Sequence, residues 1–314
     1  MGVLHNKMVV GFLFAGQGAQ YIGMGRDLYE SFPESKKIFD KADEVLGMSL
    51  SRLCFQGPQE ELTKTNNCQP AILTMSIAAW EAFCSVHGTP YSVHNYTAGL
   101  SLGEYSALVA ARAMSFEDAV CLVRKRGQFM EEEALKFPGK MASVLGLDLD
   151  SVRNICKKTN SEIANINSPG QIVISGTAKA IDEAVKVAEG SGAKRVILLE
   201  VSGAFHSSLM KGASLKLAKE LEKVKINQLQ LTLVSNVNAR PVKSADEIKN
   251  NLIQQVASAV LWEDSMRYML SQRAKSFFEI GPGKVLKGLM RRIDENVTVT
   301  NIEKKKDLLN CLKL

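Results

Sequence analysis

Short apolar runs alternate along the chain with amphipathic stretches, the pattern of strands interleaved with helices. Met8–Phe14 is continuously apolar and predicts a buried strand. Asp27–Leu46 and Gln69–Val86 carry apolar positions at helical spacing; the second is the stronger, with Ala71, Leu73, Met75, Ile77, Ala78, Trp80 and Phe83. Tyr91–Gly99 predicts a strand and Glu104–Ala113 an Ala/Leu-rich helix leaving it. Ser115, with Asp118 three residues on, predicts the N-cap of a helix running to about Glu133.

The middle of the chain changes rhythm. Strand patterns at Met141–Leu147, Ile163–Asn167, Gln171–Gly176 and Arg195–Leu199 are interleaved with helical patterns at Asp150–Lys158 and Ala178–Gly190. Ser168-Pro169-Gly170 is a turn signal between the second and third strands. This β-α-β-β-α-β order predicts a ferredoxin-like unit. The fold class expected is α/β, with an α/β-hydrolase-like large subdomain formed by residues 1–134 and 201–314. The small ferredoxin-like subdomain, residues 135–200, is inserted into it. Further strands of the large part are expected near Thr232–Asn236 and Ser276–Ile280.

Composition narrows the class. The 314 residues are 46% hydrophobic and 23% charged, ordinary for a globular protein. No apolar run approaches the ~20 residues that cross a bilayer. Lys7 followed by Met8–Ala15 has the form of a short signal-peptide core, but it runs into Gly16-Gln17-Gly18-Ala19-Gln20, a loop suited to following a strand. Gly2 invites a myristoylation reading, which fails because position 6 is Asn6. Six scattered cysteines and four scattered histidines show no zinc spacing and fit reduced thiols in the cytoplasm. Within the net charge of +6, Lys284, Lys287, Arg291 and Arg292 cluster, followed by Lys304-Lys305-Lys306. Such a cluster is either a solvated helix face or a docking surface for an acidic partner. Without interleaved aromatics or a binding motif, it does not point to nucleic acid.

Candidate chemistry centres on Gly99-Leu100-Ser101-Leu102-Gly103. Gly-x-Ser-x-Gly between a strand and a helix is the pattern of a nucleophile elbow, which exposes the serine hydroxyl beside a helix N-terminus. The serine needs a base. His5 lies in the terminus, His87 in a Gly-Thr-Pro-flanked loop and His94 ahead of the elbow, whereas His206 follows a strand end in Gly203-Ala204-Phe205-His206-Ser207. Position alone leaves His206 between a base and an ordinary loop histidine. The amide of Leu102 is the natural first oxyanion donor. Gly16-Gln17-Gly18 offers a second; it lacks the full spacing of a phosphate-binding loop.

Six segments, spread from about residue 8 to residue 303, resemble the malonyl-CoA:acyl-carrier-protein transacylase family of bacterial type II fatty acid synthesis. They are Phe14–Gln20, Gly99–Tyr105, Asn165–Gln171, Gly203–Ser207, Val234–Val237 and Glu279–Gly283. The resemblance implies an acyltransferase that moves malonyl from coenzyme A, through a malonyl-serine, to the phosphopantetheine thiol of acyl carrier protein. It implies Ser101 as nucleophile, His206 as base, and Gln255 as the residue that orients the histidine, with Gln254 one slip away. It further implies Gln17 and Leu102 as oxyanion amides and Arg126, with Arg124 as its neighbour, as the holder of the malonyl carboxylate. Phe205 resembles malonyl-selective members and would crowd a methyl branch. Two positions depart from the family pattern: Leu100 stands where histidine is usual, beside the acyl pocket, and Ala15 where proline is usual. No carboxylate stands out as a third catalytic member. No cofactor or metal is expected, the coenzyme A thioester being substrate, and the chain is expected to act as a cytoplasmic monomer.

Overall fold

The computed structural model describes residues 9–311; Gly2, His5, Asn6, Lys7 and Met8 lie outside it. Five strands form a wholly parallel sheet: β1 (Val10–Phe14), β2 (Ser92–Gly99), β7 (Leu231–Leu233), β9 (Ser276–Ile280) and β10 (Thr298–Ile302), in the order β10-β9-β1-β2-β7. Both faces are covered, which is why β1 is apolar throughout. Phe12 and Phe14 pack with Trp80 of the Thr65–His87 helix on one face. Leu13 turns to the other, among Trp262, Met266 and Leu286.

The second sheet contains β3 (Gly139–Leu145), β4 (Glu162–Ser168), β5 (Gln171–Thr177) and β6 (Arg195–Leu198), with helices Leu149–Thr159 and Ala178–Gly190 between them. Its order, β6-β3-β5-β4, with every one of these pairs antiparallel, is the ferredoxin-like arrangement expected from the strand and helix order. One strand was not legible: β8 (Val260–Leu261), two residues long, adds parallel to β4 from the chain beyond the insertion. Two residues carry no periodicity, so only the tertiary pairing reveals it.

Other differences have local causes. The helix expected over Asp27–Leu46 is two helices, Arg26–Ser31 and Pro33–Leu46. Phe32 between them is extended (φ −128°, ψ 117°), because a residue before proline is pushed out of the α region. The strand near Thr232–Asn236 ends at Leu233, leaving Asn236 in a loop, and β10 was not anticipated. Ser115 does cap its helix, accepting from Asp118 N at 3.0 Å, but the helix continues to Lys136. Since the sheet is parallel, the loops after β1 and β2 emerge at the same, carboxyl-terminal edge.

Candidate active site

β2 ends at Gly99, and a helix begins at Gly103. The chain turns in the three residues between, and Ser101 is left at φ 52°. The turn is possible because its glycines lack Cβ: one on Gly99 would fall 1.8 Å from the Gly103 carbonyl carbon, and one on Gly103 would fall 2.2 Å from the Phe14 oxygen. Asn236 clamps the turn. Its Oδ1 accepts from Ser101 N (2.7 Å) and its Nδ2 donates to Gly99 O (2.8 Å). The loop after β1 lies directly against the elbow, where a Cβ on Gly16 would be 2.4 Å from the Leu100 oxygen.

His206 reaches Ser101 from the loop after β6. Its Nε2 lies 2.8 Å from Ser101 Oγ, and its Nδ1 lies 2.8 Å from the carbonyl of Gln255, the last residue of the Ala245–Gln255 helix. A carbonyl only accepts, so Nδ1 carries the proton and Nε2 turns its lone pair to the serine hydroxyl. Burial, then the neighbouring Arg126 charge, lower the imidazole's pKa to about 4, so the ring is neutral at pH 7.

Arg126, on the helix Phe116–Lys136, is buried at 2% exposure. Nη2 donates to Ser101 Oγ (3.0 Å) and Gln255 Oε1 (3.1 Å), and Nη1 donates to Gln69 Oε1 (2.8 Å). Its guanidinium sits 5.6 Å from the Tyr105 ring centroid, and Nε has no hydrogen-bond partner among the described residues. Arg124 instead donates to Leu46 O, and Gln254 is exposed. Those two competitors are therefore outside the cluster. His94 is exposed on β2, and His87 ends its helix beside Phe83.

Gln255 serves the site in two ways. Its backbone carbonyl receives His206, while its side chain touches Arg126 and, through Nε2, Glu104 Oε2 (2.6 Å) and Ser101 O (3.1 Å). Glu104 went unrecognised in the sequence. Its carboxyl is fully buried, accepts from Asn236 N (3.2 Å), and is raised by burial to about 7. Asn236 and Gln69 were also missed. A polar residue in the Val234–Val237 segment and one at the head of an apolar helix were the only signals, and neither marks a site unless the partner is known.

Leu102 follows the serine on the elbow, and Gln17 lies in the β1 loop one residue after Gly16, which abuts Leu100. Neither backbone amide has an acceptor among the described residues. Phe205 is buried in the main apolar cluster, next to His206. Leu100 packs on the second apolar cluster, with Leu13, Val234 and Trp262. It takes no part in the hydrogen-bonded set, which explains how the chain accommodates an apolar residue there. Ala15 is fully buried at the end of β1.

A neutral imidazole whose Nε2 faces a serine hydroxyl can activate that hydroxyl toward an acyl donor, and the buried cation on the same oxygen suits an acyl group that bears a carboxylate. Residues 11–302 match the family model of the acyl transferase domain. The malonyl CoA-acyl carrier protein transacylase of Bacillus subtilis (strain 168) is 48% identical over 293 residues, 92% of this chain and 91% of that one. The crystal structure of the corresponding transacylase from Clostridium perfringens is 42% identical and superposes with a TM-score of 0.92, covering 97% of this chain and 96% of that one. A type II PKS acyl-carrier protein in complex with its malonyl-transacylase matches at 37% identity and a TM-score of 0.93, over 97% and 99% of the two chains. At such identity over nearly the whole of both chains, the protein belongs to the malonyl CoA-acyl carrier protein transacylase family of acyl transferases.

Proposed function

We propose that the protein transfers malonyl from malonyl-CoA to acyl carrier protein by a two-step reaction at Ser101, loading the elongation unit for fatty acid synthesis. The observation that carries this reading is one oxygen with two partners: Ser101 Oγ faces His206 Nε2 at 2.8 Å and Arg126 Nη2 at 3.0 Å. His206 takes the hydroxyl proton as Oγ attacks the thioester carbonyl. The resulting oxyanion is held by the amides of Leu102 and Gln17, near the N-terminus of the Gly103–Ala110 helix. Collapse expels the coenzyme A thiolate, which takes the proton from His206. The carrier's phosphopantetheine thiol then gives its proton to His206 and attacks the malonyl ester; collapse breaks the ester bond to Ser101 Oγ, which takes that proton back from His206 and restores the hydroxyl.

Arg126 selects the substrate. The guanidinium is held by two neutral amide oxygens and keeps its full charge for an incoming carboxylate, for which Nε is an uncommitted donor. Phe205 narrows the pocket beside the base, disfavouring a methyl-branched acyl group. The protein works without cofactor or metal, as a cytoplasmic monomer, with malonyl-CoA and acyl carrier protein as its partners. No helix among the described residues is long and apolar enough to cross a membrane.

The carrier's approach is assigned to the helix Val285–Ile293 and the residue before it. Lys284, Lys287 and Arg291 are exposed, form no ion pairs among the described residues, and recur at i, i+3 and i+7 along one face. Arg292 bonds Gln171, the first residue of β5. Tyr21 Oη and Gly283 N both donate to Glu303 Oε1 (2.8 and 2.9 Å), which fastens the head of this helix to the loop that carries Gln17. The basic face therefore begins at the active-site end of the sheet.

Intact-protein mass spectrometry after mixing with malonyl-CoA, with peptide mapping, tests the reading. The expected result is a malonyl adduct on Ser101, discharged by holo acyl carrier protein and weak with acetyl-CoA. Rapid coenzyme A release without an adduct would make the protein a hydrolase; neither release nor adduct would make it a binding module or an enzyme for another substrate.

A further inference from the structure

Among the charged groups of the site, Glu104 has no part in the acyl-transfer steps. It stands three residues after the nucleophile, in the first turn of the elbow helix, at 1% exposure. It does not touch Arg126 directly. Gln255 stands between them, donating from Nε2 to Glu104 Oε2 (2.6 Å) and accepting at Oε1 from Arg126 Nη2 (3.1 Å). An ionised carboxylate can only accept, so Glu104, together with the Ser101 carbonyl, turns Nε2 of Gln255 toward itself and Oε1 toward the arginine. A buried cation and a buried anion are thus joined through one neutral amide.

This placement has a consequence for selectivity. A carboxylate bonded straight to Arg126 would fill the donors an acyl carboxylate needs. Glu104, one amide away, takes none of these donors itself and leaves Nε–H uncommitted, yet its charge still opposes the arrival of a second negative charge. We propose that Glu104 is a positioning residue: acting on Arg126 through Gln255, it serves as the indirect counter-charge that sets how strongly the site prefers a carboxylate-bearing acyl group to a neutral one. The proposal rests on the malonyl-transfer reading of the site.

The groups facing Glu104 and Arg126 are few. Tyr105 lies on the elbow helix, His206 on its loop, and Asn236 and Gln255 are neutral amides. Only Glu104 titrates near pH 7; His206 ionises near pH 4, and burial moves Tyr105 above its ordinary value. Lowering the pH through about 7 removes the Glu104 charge and leaves Arg126 cationic, so malonyl binding should tighten relative to acetyl.

The test compares malonyl-CoA and acetyl-CoA as donors to holo acyl carrier protein, reading the ratio of the two KM values. Glu104→Gln keeps the shape and an acceptor but removes the charge. It is expected to lower the malonyl KM relative to the acetyl KM by about three- to tenfold, as loss of a charge roughly one side chain away should. Glu104→Asp, which keeps the charge, should hold the ratio near that of the unsubstituted protein. The unsubstituted protein should show the same fall in the ratio between pH 8 and pH 6, a readout that survives if a variant fails to fold. A ratio unmoved by both Glu104→Gln and pH, or moved equally by Gln and Asp, would overturn the proposal and leave Glu104 a structural tie. If the unsubstituted protein forms no malonyl-Ser101 at all, it is the functional reading that fails.

Discussion

Ser101 and His206, the proposed nucleophile and base, hold backbone conformations that residues other than glycine rarely adopt, φ 52° and 58°. Such residues cost about 1–3 kcal/mol each and persist only where their surroundings over-determine them. Here Asn236 holds Ser101 through its N–H, and the Gln255 carbonyl holds His206 through Nδ1. Arg126→Ala removes a buried charge and strands Gln69 and Gln255. Malonyl transfer should fall by about 2–4 kcal/mol, roughly 30- to 1,000-fold in kcat/KM, with a smaller loss for acetyl. Equal losses for the two donors would sink the carboxylate role. The base makes its own prediction. With an uncharged activated ester as acylating agent, the acylation rate of Ser101 should hold steady from pH 8 to about pH 5 and drop as the pH falls through about 4, because the imidazolium has no lone pair for the serine proton. A limb centred near 6.5 would show that His206 is not desolvated.

At the scale of elements, the site depends on the close fit between β1, the elbow and the helix leaving it. A methyl at Gly103 would have to displace the Phe14 carbonyl, which is itself an acceptor for Leu100 N (3.1 Å). Backbone cannot rotate away as a flexible side chain can. Gly103→Ala should therefore abolish Ser101 acylation and lower Tm by several degrees, the response of a domain to ~2 kcal/mol of strain; a variant acylated at the native rate would show that the elbow tolerates a Cβ. The fit also explains what was legible locally. Gly99, Ser101 and Gly103 announce the turn by their residue types, and Ser115 with Asp118 announces a helix start. Glu104 looks like any acidic residue in the first turn of a helix; its burial comes from Asn236 and Gln255, more than 130 residues away in the chain.

The whole molecule brings four distant stretches to one edge of a parallel sheet: the β1 loop, the elbow, the His206 loop and the end of the Ala245–Gln255 helix. The Val285–Ile293 helix is fastened to the same edge. Reversing the charges of Lys284, Lys287 and Arg291 to Glu should raise the KM for holo acyl carrier protein by about tenfold at low salt, with a smaller effect as ionic strength rises, while the malonyl-CoA half-reaction is preserved. A carrier KM unchanged across salt concentrations would remove this face from the docking surface.

The sequence by itself determined the two-sheet α/β plan, the elbow serine and, through the six family segments, the residues to suspect around it. Those features are written in periodicities and residue types that neighbouring positions carry together. Only the tertiary structure decided that β8 joins the second sheet and that Glu104 is buried beside the site, and residue patterns without the family resemblance left Arg124 beside Arg126 and Gln254 beside Gln255 until the structure set Arg126 on Ser101 and Gln255 on His206. These are choices between chemically similar neighbours, or between exposure and burial. They turn on which distant segment covers a side chain, and no local pattern encodes that.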